Sequence, residues 1–237
     1  MKRNPRKGLS ALALLLASVG LIVVVYVSRR ANLPTLVADL FRTGPVAIAV
    51  LNPSFELQEP AEKTLPCPGS GCWYADDSVT YWDISGYDNE DHIPMTAGKT
   101  GVFHPDINTR FDKLPSGAQV AYSDGGTLFQ KLPERFQNNR EYTLSVAIGC
   151  RKDLGYTNFK GYRVALYAGG TLLASASSPT PGAGKFVTTT VTVPRQKNHP
   201  QAGKFLKIVL FSDGPRVNFD DVQLSRSSGG LLWKRGG

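Results

Sequence analysis

From Pro45 onward the sequence breaks into short runs rich in Val, Ile, Thr, Tyr and Phe, separated by clusters of Gly, Pro, Asn and Asp. Runs of that length, bounded by turn residues, read as strands. They cover 46–51, 79–84, 101–104, 119–123, 127–132, 141–150, 162–168, 172–177, 186–193, 205–211 and 216–224. Alternation is clear in 142–148, where Leu144, Val146 and Ile148 share one face and Thr143, Ser145 and Ala147 the other. A period of two means that one side of this strand is buried. Ala168-Gly169-Gly170-Thr171 and Ser123-Asp124-Gly125-Gly126 read as tight hairpins, because Gly tolerates the positive φ of such turns. No helix longer than two turns and no fixed-period repeat is expected after residue 45. Short strands without alternating helices predict an all-β, antiparallel sandwich over residues 46–225.

The net charge of +8 raises the question of nucleic acid, and its distribution answers it. Lys2, Arg3, Arg6, Lys7, Arg29 and Arg30 lie in the first 30 residues, which hold no acid. The other 207 residues carry 21 bases against 19 acids. A nucleic-acid binder concentrates its excess on the folded part, so no nucleic-acid partner is expected.

The basic excess flanks an uncharged run, GLSALALLLASVGLIVVVYV at 8–27. Twenty residues at 1.5 Å each give about 30 Å of helix, roughly the thickness of a bilayer's hydrocarbon. The expected organisation is a cytoplasmic basic tip (1–7), a transmembrane signal anchor (8–28) in the lipid bilayer, a linker (29–45), the β domain (46–225) and a flexible tail (226–237). Four charges before the run against two after it place the β domain outside the cytoplasm, in a periplasm, a lumen or at a cell surface. A cleaved signal peptide is the alternative, although the run is long for one. Leu231, Leu232 and Trp233 are the sticky part of the tail.

Several segments resemble the galactose-binding-domain-like jelly rolls found in many carbohydrate-binding modules. They are Val50-Leu51-Asn52-Pro53-Ser54-Phe55-Glu56, Gly101-Val102-Phe103-His104-Pro105, 115–122, Leu128-Phe129-Gln130-Lys131-Leu132, 142–146, 164–170 and Val217-Asn218-Phe219-Asp220-Asp221-Val222-Gln223-Leu224. They occur in the family's order and span 50–224. The resemblance implies a jelly roll whose first and last strands are neighbours, with a structural Ca²⁺ beside them. Glu56, Asp220 and Asp221 match that site. Ca²⁺ takes oxygen ligands, and adjacent strand residues point opposite ways, so one Asp side chain, taken as Asp221, is expected at the ion. Trp82 falls where relatives bury a Trp.

Trp73, Tyr74, Tyr81, Trp82 and Tyr87 crowd into fifteen residues. Exposed aromatic rings stack on sugar faces, and Trp73 and Tyr74, read as loop residues, are the leading ligand candidates, with Tyr87 beside them. The same rings would also serve to pack one end of a sandwich. Cys67 and Cys72 frame a C-x4-C loop suited to a small disulfide outside the cytoplasm, with too few partners for zinc. Cys150 is left over, expected as a small buried apolar side chain. Ala97-Gly98-Lys99-Thr100 lacks the rest of a phosphate loop. No Ser lies in a G-x-S-x-G elbow, and His92, His104 and His199 are dispersed. Asp76, Asp77, Asp88, Glu90 and Asp91 read as a solvated acidic stretch rather than a glycosidase pair. The expected function is therefore non-catalytic: a membrane-anchored module binding glycan. The alternative is a structural or accessory subunit docked on a larger membrane protein complex, with Ser10, Ala13, Ala17 and Gly20 allowing close helix contact.

Overall fold

The computed structural model describes residues 44–58, 64–67, 71–84, 93, 98–153 and 159–227. The expected anchor (8–28), most of the linker, the tail beyond Ser227, and Tyr87 lie outside them. No described helix is long and apolar enough to cross a membrane.

Residues Pro45–Ser227 form one unit. Its strands are β1 (Val46–Ile48), β2 (Thr64–Pro66), β3 (Trp73–Asp76), β4 (Lys99–His104), β5 (Val120–Asp124), β6 (Thr127–Arg135), β7 (Tyr142–Cys150), β8 (Tyr162–Ala168), β9 (Thr171–Ala176), β10 (Phe186–Val193), β11 (Phe205–Ser212) and β12 (Val217–Arg226). The large sheet runs β10-β7-β12-β5-β4-β3-β2, with β1 paired to β12, and the small sheet runs β6-β11-β8-β9. All strand pairs are antiparallel. The chain is thus an all-β sandwich of two antiparallel sheets.

Side-chain alternation makes the core. Leu144, Val146 and Ile148 of β7, Val217 and Phe219 of β12, Val164 and Leu166 of β8 and Ile208 and Leu210 of β11 meet between the sheets. A second cluster, with Phe103, Phe111, Leu114, Val120 and Tyr122, covers the outer face of the large sheet.

Three local expectations are corrected. Ser123–Gly126 is not a hairpin, because β5 and β6 belong to different sheets, and the turn carries the chain across the core. Residues 79–84 form isolated bridges, Val79 with Trp82 and Asp83 with Phe129, rather than a strand. Positive φ at Asp77 and Tyr81 breaks the extended backbone there. Trp82 turns into the core, 5.3 Å from the Phe55 ring, and donates its indole N–H to the Asn52 carbonyl at 3.3 Å. Trp73 and Tyr74 are strand residues, not loop residues. The C-x4-C segment closes the β2–β3 hairpin through a Cys67–Cys72 disulfide.

A single irregularity in β12 gathers the acidic side chains. The strand bulges between Asp220 and Gln223, with Asp221 at φ 46°. One edge of β12 pairs with β5 up to Phe219 and with β1 from Leu224 onward. Between them the Val222 N–H donates to the Pro53 carbonyl at 2.8 Å. The 50–58 segment thereby crosses the bulge and brings Glu56 beside Asp220.

Candidate functional site

The outer face of the large sheet carries side chains of opposite parity to the core. From β3 to β10 these are Tyr74 and Asp76, Phe103, Val120 and Tyr122, Asn218 and Asp220, Ala147, then Phe186 and Thr188. The segment 105–118 roofs part of this face with Phe111 and Leu114, both buried. Phe186 lies across from Gly149, and its ring occupies the space that a Cβ at Gly149 would need. Glycine inside a strand marks such a close approach. Phe111 packs on Phe186 with ring centroids 4.9 Å apart.

Beside this roof a groove of about 480 Å³ opens, bounded by Asp112, Leu114, Pro115, Ala147, Phe186 and Asp221, among others. Its walls are mixed: Leu114, Pro115, Ala147, Phe186 and Val187 are apolar, while Asp112, Lys113, Lys185 and Asp221 bring two charges of each sign. Asp112 accepts from the Lys152 ammonium at 2.7 Å, and that bond and charge hold its carboxyl below the usual range. Asp221 Oδ1 accepts from Gln223 Nε2 at 2.8 Å, and Asp221 lines the groove.

Behind the groove lie two more carboxylates. Glu56 Oε1 accepts from the Ala118 and Gln119 N–H groups at 2.9 and 2.8 Å. Asp220, with no exposed surface, accepts from the Ser116 and Asp221 N–H groups at 3.0 and 2.7 Å. Burial pushes the Asp220 carboxyl up to about 7; its hydrogen bonds oppose this, and the neighbouring Asp221 and Glu56 charges add to it. Gln119 donates through Nε2 to the Gln58 carbonyl at 3.2 Å, and its Oε1 is buried without a hydrogen-bond partner. Asp220 rather than Asp221 is therefore the residue gathered with Glu56, because the bulge turns Asp221 toward the groove. Among the described residues no three His, Cys, Asp or Glu side chains are close enough to hold a metal by themselves.

A cationic rim completes the face. Arg151, buried, donates through Nε to Asp153 at 2.8 Å and lies 4.7 Å from the Phe103 centroid. Arg110 pairs with the same carboxylate. Arg216 pairs with Asp124 and lies 4.6 Å from the Tyr122 ring. The Tyr122 hydroxyl donates to Asp76.

Trp73 and Tyr74 do not share a face. Trp73 stacks on His104, 5.4 Å away at 18°, and packs against the main core, whereas Tyr74 belongs to the outer cluster. Adjacent strand residues point opposite ways, so the two rings form no common sugar platform. Phe186, Asn218 and the roof residues Phe111 and Leu114 were not legible as site residues. The signal for them, Gly149 inside an apolar strand, gains meaning only once the register sets Phe186 across from it.

The fold and the groove define an all-β sandwich with a concave candidate site on one outer sheet face. Within that class the chain belongs to the HpiC1-like family, described as HpiC1 cyclase, whose model matches residues 46–225. Solved structures agree. A cyclase from Fischerella sp. TAU is 28% identical, with a TM-score of 0.63 over 79% of this chain and 100% of that one. The apo form of a cyclase from Fischerella sp. is 26% identical, with a TM-score of 0.65 over 80% of this chain and 100% of that one. A cyclase from Fischerella sp. TAU in complex with 4-(1H-Indol-3-yl)butan-2-one is 28% identical, with a TM-score of 0.62 over 78% of this chain and 100% of that one. No curated protein matches the chain in sequence.

Family membership overturns the functional expectation. A non-catalytic module binding glycan, or an accessory subunit of a membrane complex, gives way to a member of a cyclase family. Relatives of this family bind small molecules, so neither glycan nor a membrane protein stands as the partner. The error has a physical origin: the aromatic cluster read as a stacking platform is divided between the two faces of β3.

Proposed function

We propose that the chain closes a ring within an apolar, indole-bearing small molecule held in the groove on the outer face of its jelly-roll-like sandwich. The supporting observation is the groove itself, apolar along Leu114, Pro115, Ala147 and Phe186, edged by Lys113 and Lys185, and bearing Asp221. A cyclisation of this kind needs no co-reactant. A carboxyl proton adds to an unsaturated carbon, the electron-rich ring attacks the cation so formed, and the proton then lost returns to the carboxylate. The product is an isomer of the substrate. Asp112 is tied up by Lys152, which leaves Asp221 as the groove carboxyl that gives and takes the proton.

A structural calcium fits behind the groove. Glu56 and Asp220 offer carboxylate oxygens, and the orphaned Gln119 Oε1 is a neutral oxygen of the kind Ca²⁺ accepts. Held there, the ion would balance two acids that otherwise repel and would fix the β12 bulge that aims Asp221.

The test uses the full chain and a 3-alkenylindole able to cyclise, with 4-(1H-Indol-3-yl)butan-2-one as a binding probe. Asp221→Asn is expected to lower turnover by about 100-fold or more, the scale of a lost general acid, while probe affinity stays within twofold. Undiminished turnover in Asp221→Asn would remove this carboxyl from the chemistry.

A further inference from the structure

Three lysines gather at one end of the groove, and only one of them is paired. The Asp112 N–H donates to the Gly184 carbonyl at 2.8 Å, which ties the 105–118 roof to the turn before β10. Lys113 and Lys185 each follow one side of that bond by a single residue, so both border the same end of the groove. Lys152 comes in from beyond the end of β7, and its ammonium donates to Asp112 at 2.7 Å. Gly184 permits this approach, since a Cβ there would lie 2.9 Å from Lys152 Cδ. After the Lys152 bond and charge, the Lys185 charge also helps to hold the Asp112 carboxyl low.

Lys113 and Lys185 are exposed and make no ion pair or side-chain hydrogen bond with any described residue. With Lys152 counted, three cations stand against Asp112 and Asp221, a surplus of one. An isolated surface lysine needs no partner, but a pair at the end of a concave site acts on whatever enters it, because a cleft focuses the field of its charges. Asp221 lies toward the other end. Thr188 of β10 is in register with Ala147 of β7, which is in register with Asp220 of β12, and Lys185 precedes Thr188 by three residues. Two strand spacings and three residues put the backbones of Lys185 and Asp221 on the order of 14 Å apart.

We propose that the groove selects an indole-bearing substrate that carries a carboxylate, and that Lys113 and Lys185 hold this group at the end away from Asp221. This deepens the reading of the groove as the cyclase site and rests on it. A surplus of one positive charge matches a monoanion. A diphosphate would call for the bidentate forks of arginine, and no described arginine lines this groove. With the charge anchored there, the apolar body lies along Leu114, Ala147 and Phe186, and the reacting carbon is directed to Asp221. The carboxylate takes no part in the ring closure; it fixes which way the substrate lies.

The experiment compares 4-(1H-Indol-3-yl)butan-2-one with 3-(1H-indol-3-yl)propanoate on the full chain by calorimetry. The two differ only in a methyl group replaced by an anionic oxygen. Wild-type protein is expected to bind the propanoate about tenfold more tightly at low salt, the scale of two exposed ion pairs. At about 1 M salt, where charges are screened beyond roughly 3 Å, the preference is expected to fall below about twofold. The double variant Lys113→Met, Lys185→Met is expected to bind both probes equally at low salt. A dianion, 2-(1H-indol-3-yl)ethyl phosphate, is expected to gain nothing over the propanoate; a further gain of about tenfold would assign the pair to phosphate and overturn the carboxylate. Equal binding of ketone and propanoate by wild-type protein at low salt overturns the proposal and leaves the groove reading intact. An unchanged preference in the folded double variant overturns the assignment of the two lysines. Absence of binding of every probe to wild-type protein removes both readings.

Discussion

Asp220 is the residue at which the fold and the chemistry are most tightly coupled. Its carboxyl sits at 3.8 in the unfolded chain and about 7 in the folded one. The shift is upward, opposite to that of a salt-bridged acid, so the sign of its linkage is reversed. Between these two values the unfolded chain gives up the proton while the folded chain retains it, and stability falls as pH rises through that window. With calcium chelated, the melting temperature of the full chain is expected to drop by about 5 °C between pH 4.5 and pH 7.5 from this group. Asp220→Asn is expected to flatten that slope, and saturating calcium to abolish it by holding the carboxylate ionised. A chelated protein whose Asp220→Asn variant keeps the wild-type slope would show that another group is responsible.

At the scale of elements, the β12 bulge and the 115–119 segment work as one unit. Gly117 has a φ of 52°, and a Cβ there would run into the Glu56 carboxylate. Gly117→Ala is therefore expected to displace Glu56 and weaken calcium binding at least tenfold in a titration with the metal alone. It should also lower the melting temperature in calcium by about 4 °C through strain at positive φ. Calcium affinity equal to wild type would mean that Glu56 is not a ligand. Much of this architecture is legible in the sequence. Tyr162–Ala168 and Phe186–Val193 announce themselves by their composition, and the Glu56 and Asp220-Asp221 segments by their resemblance to jelly rolls. The rest is not, for identifiable reasons. β3 carries Trp73 and Tyr74, whose partition between two faces depends on pairing with His104 and Phe103 across β4, which are distant in sequence. The turn at Gly125 looks like any hairpin locally, and only the destination of β6 reveals the crossing. The choice between Asp220 and Asp221 is made by a bulge, which composition does not encode.

At the scale of the whole molecule, one sheet faces inward to make the core and outward to make the site. The glycan expectation rests on the resemblance to carbohydrate-binding jelly rolls and on aromatic content, and content is indifferent to which face a ring occupies. Orientation decides function here. Trp73 serves the core, while Phe186 and Leu114 shape the groove that Asp221 lines. A crystal structure of the full chain with 4-(1H-Indol-3-yl)butan-2-one tests this arrangement most directly. The account predicts the indole ring on the outer face of the large sheet, between Leu114 and Ala147. A ligand seated on the small sheet or between the two sheets would contradict it.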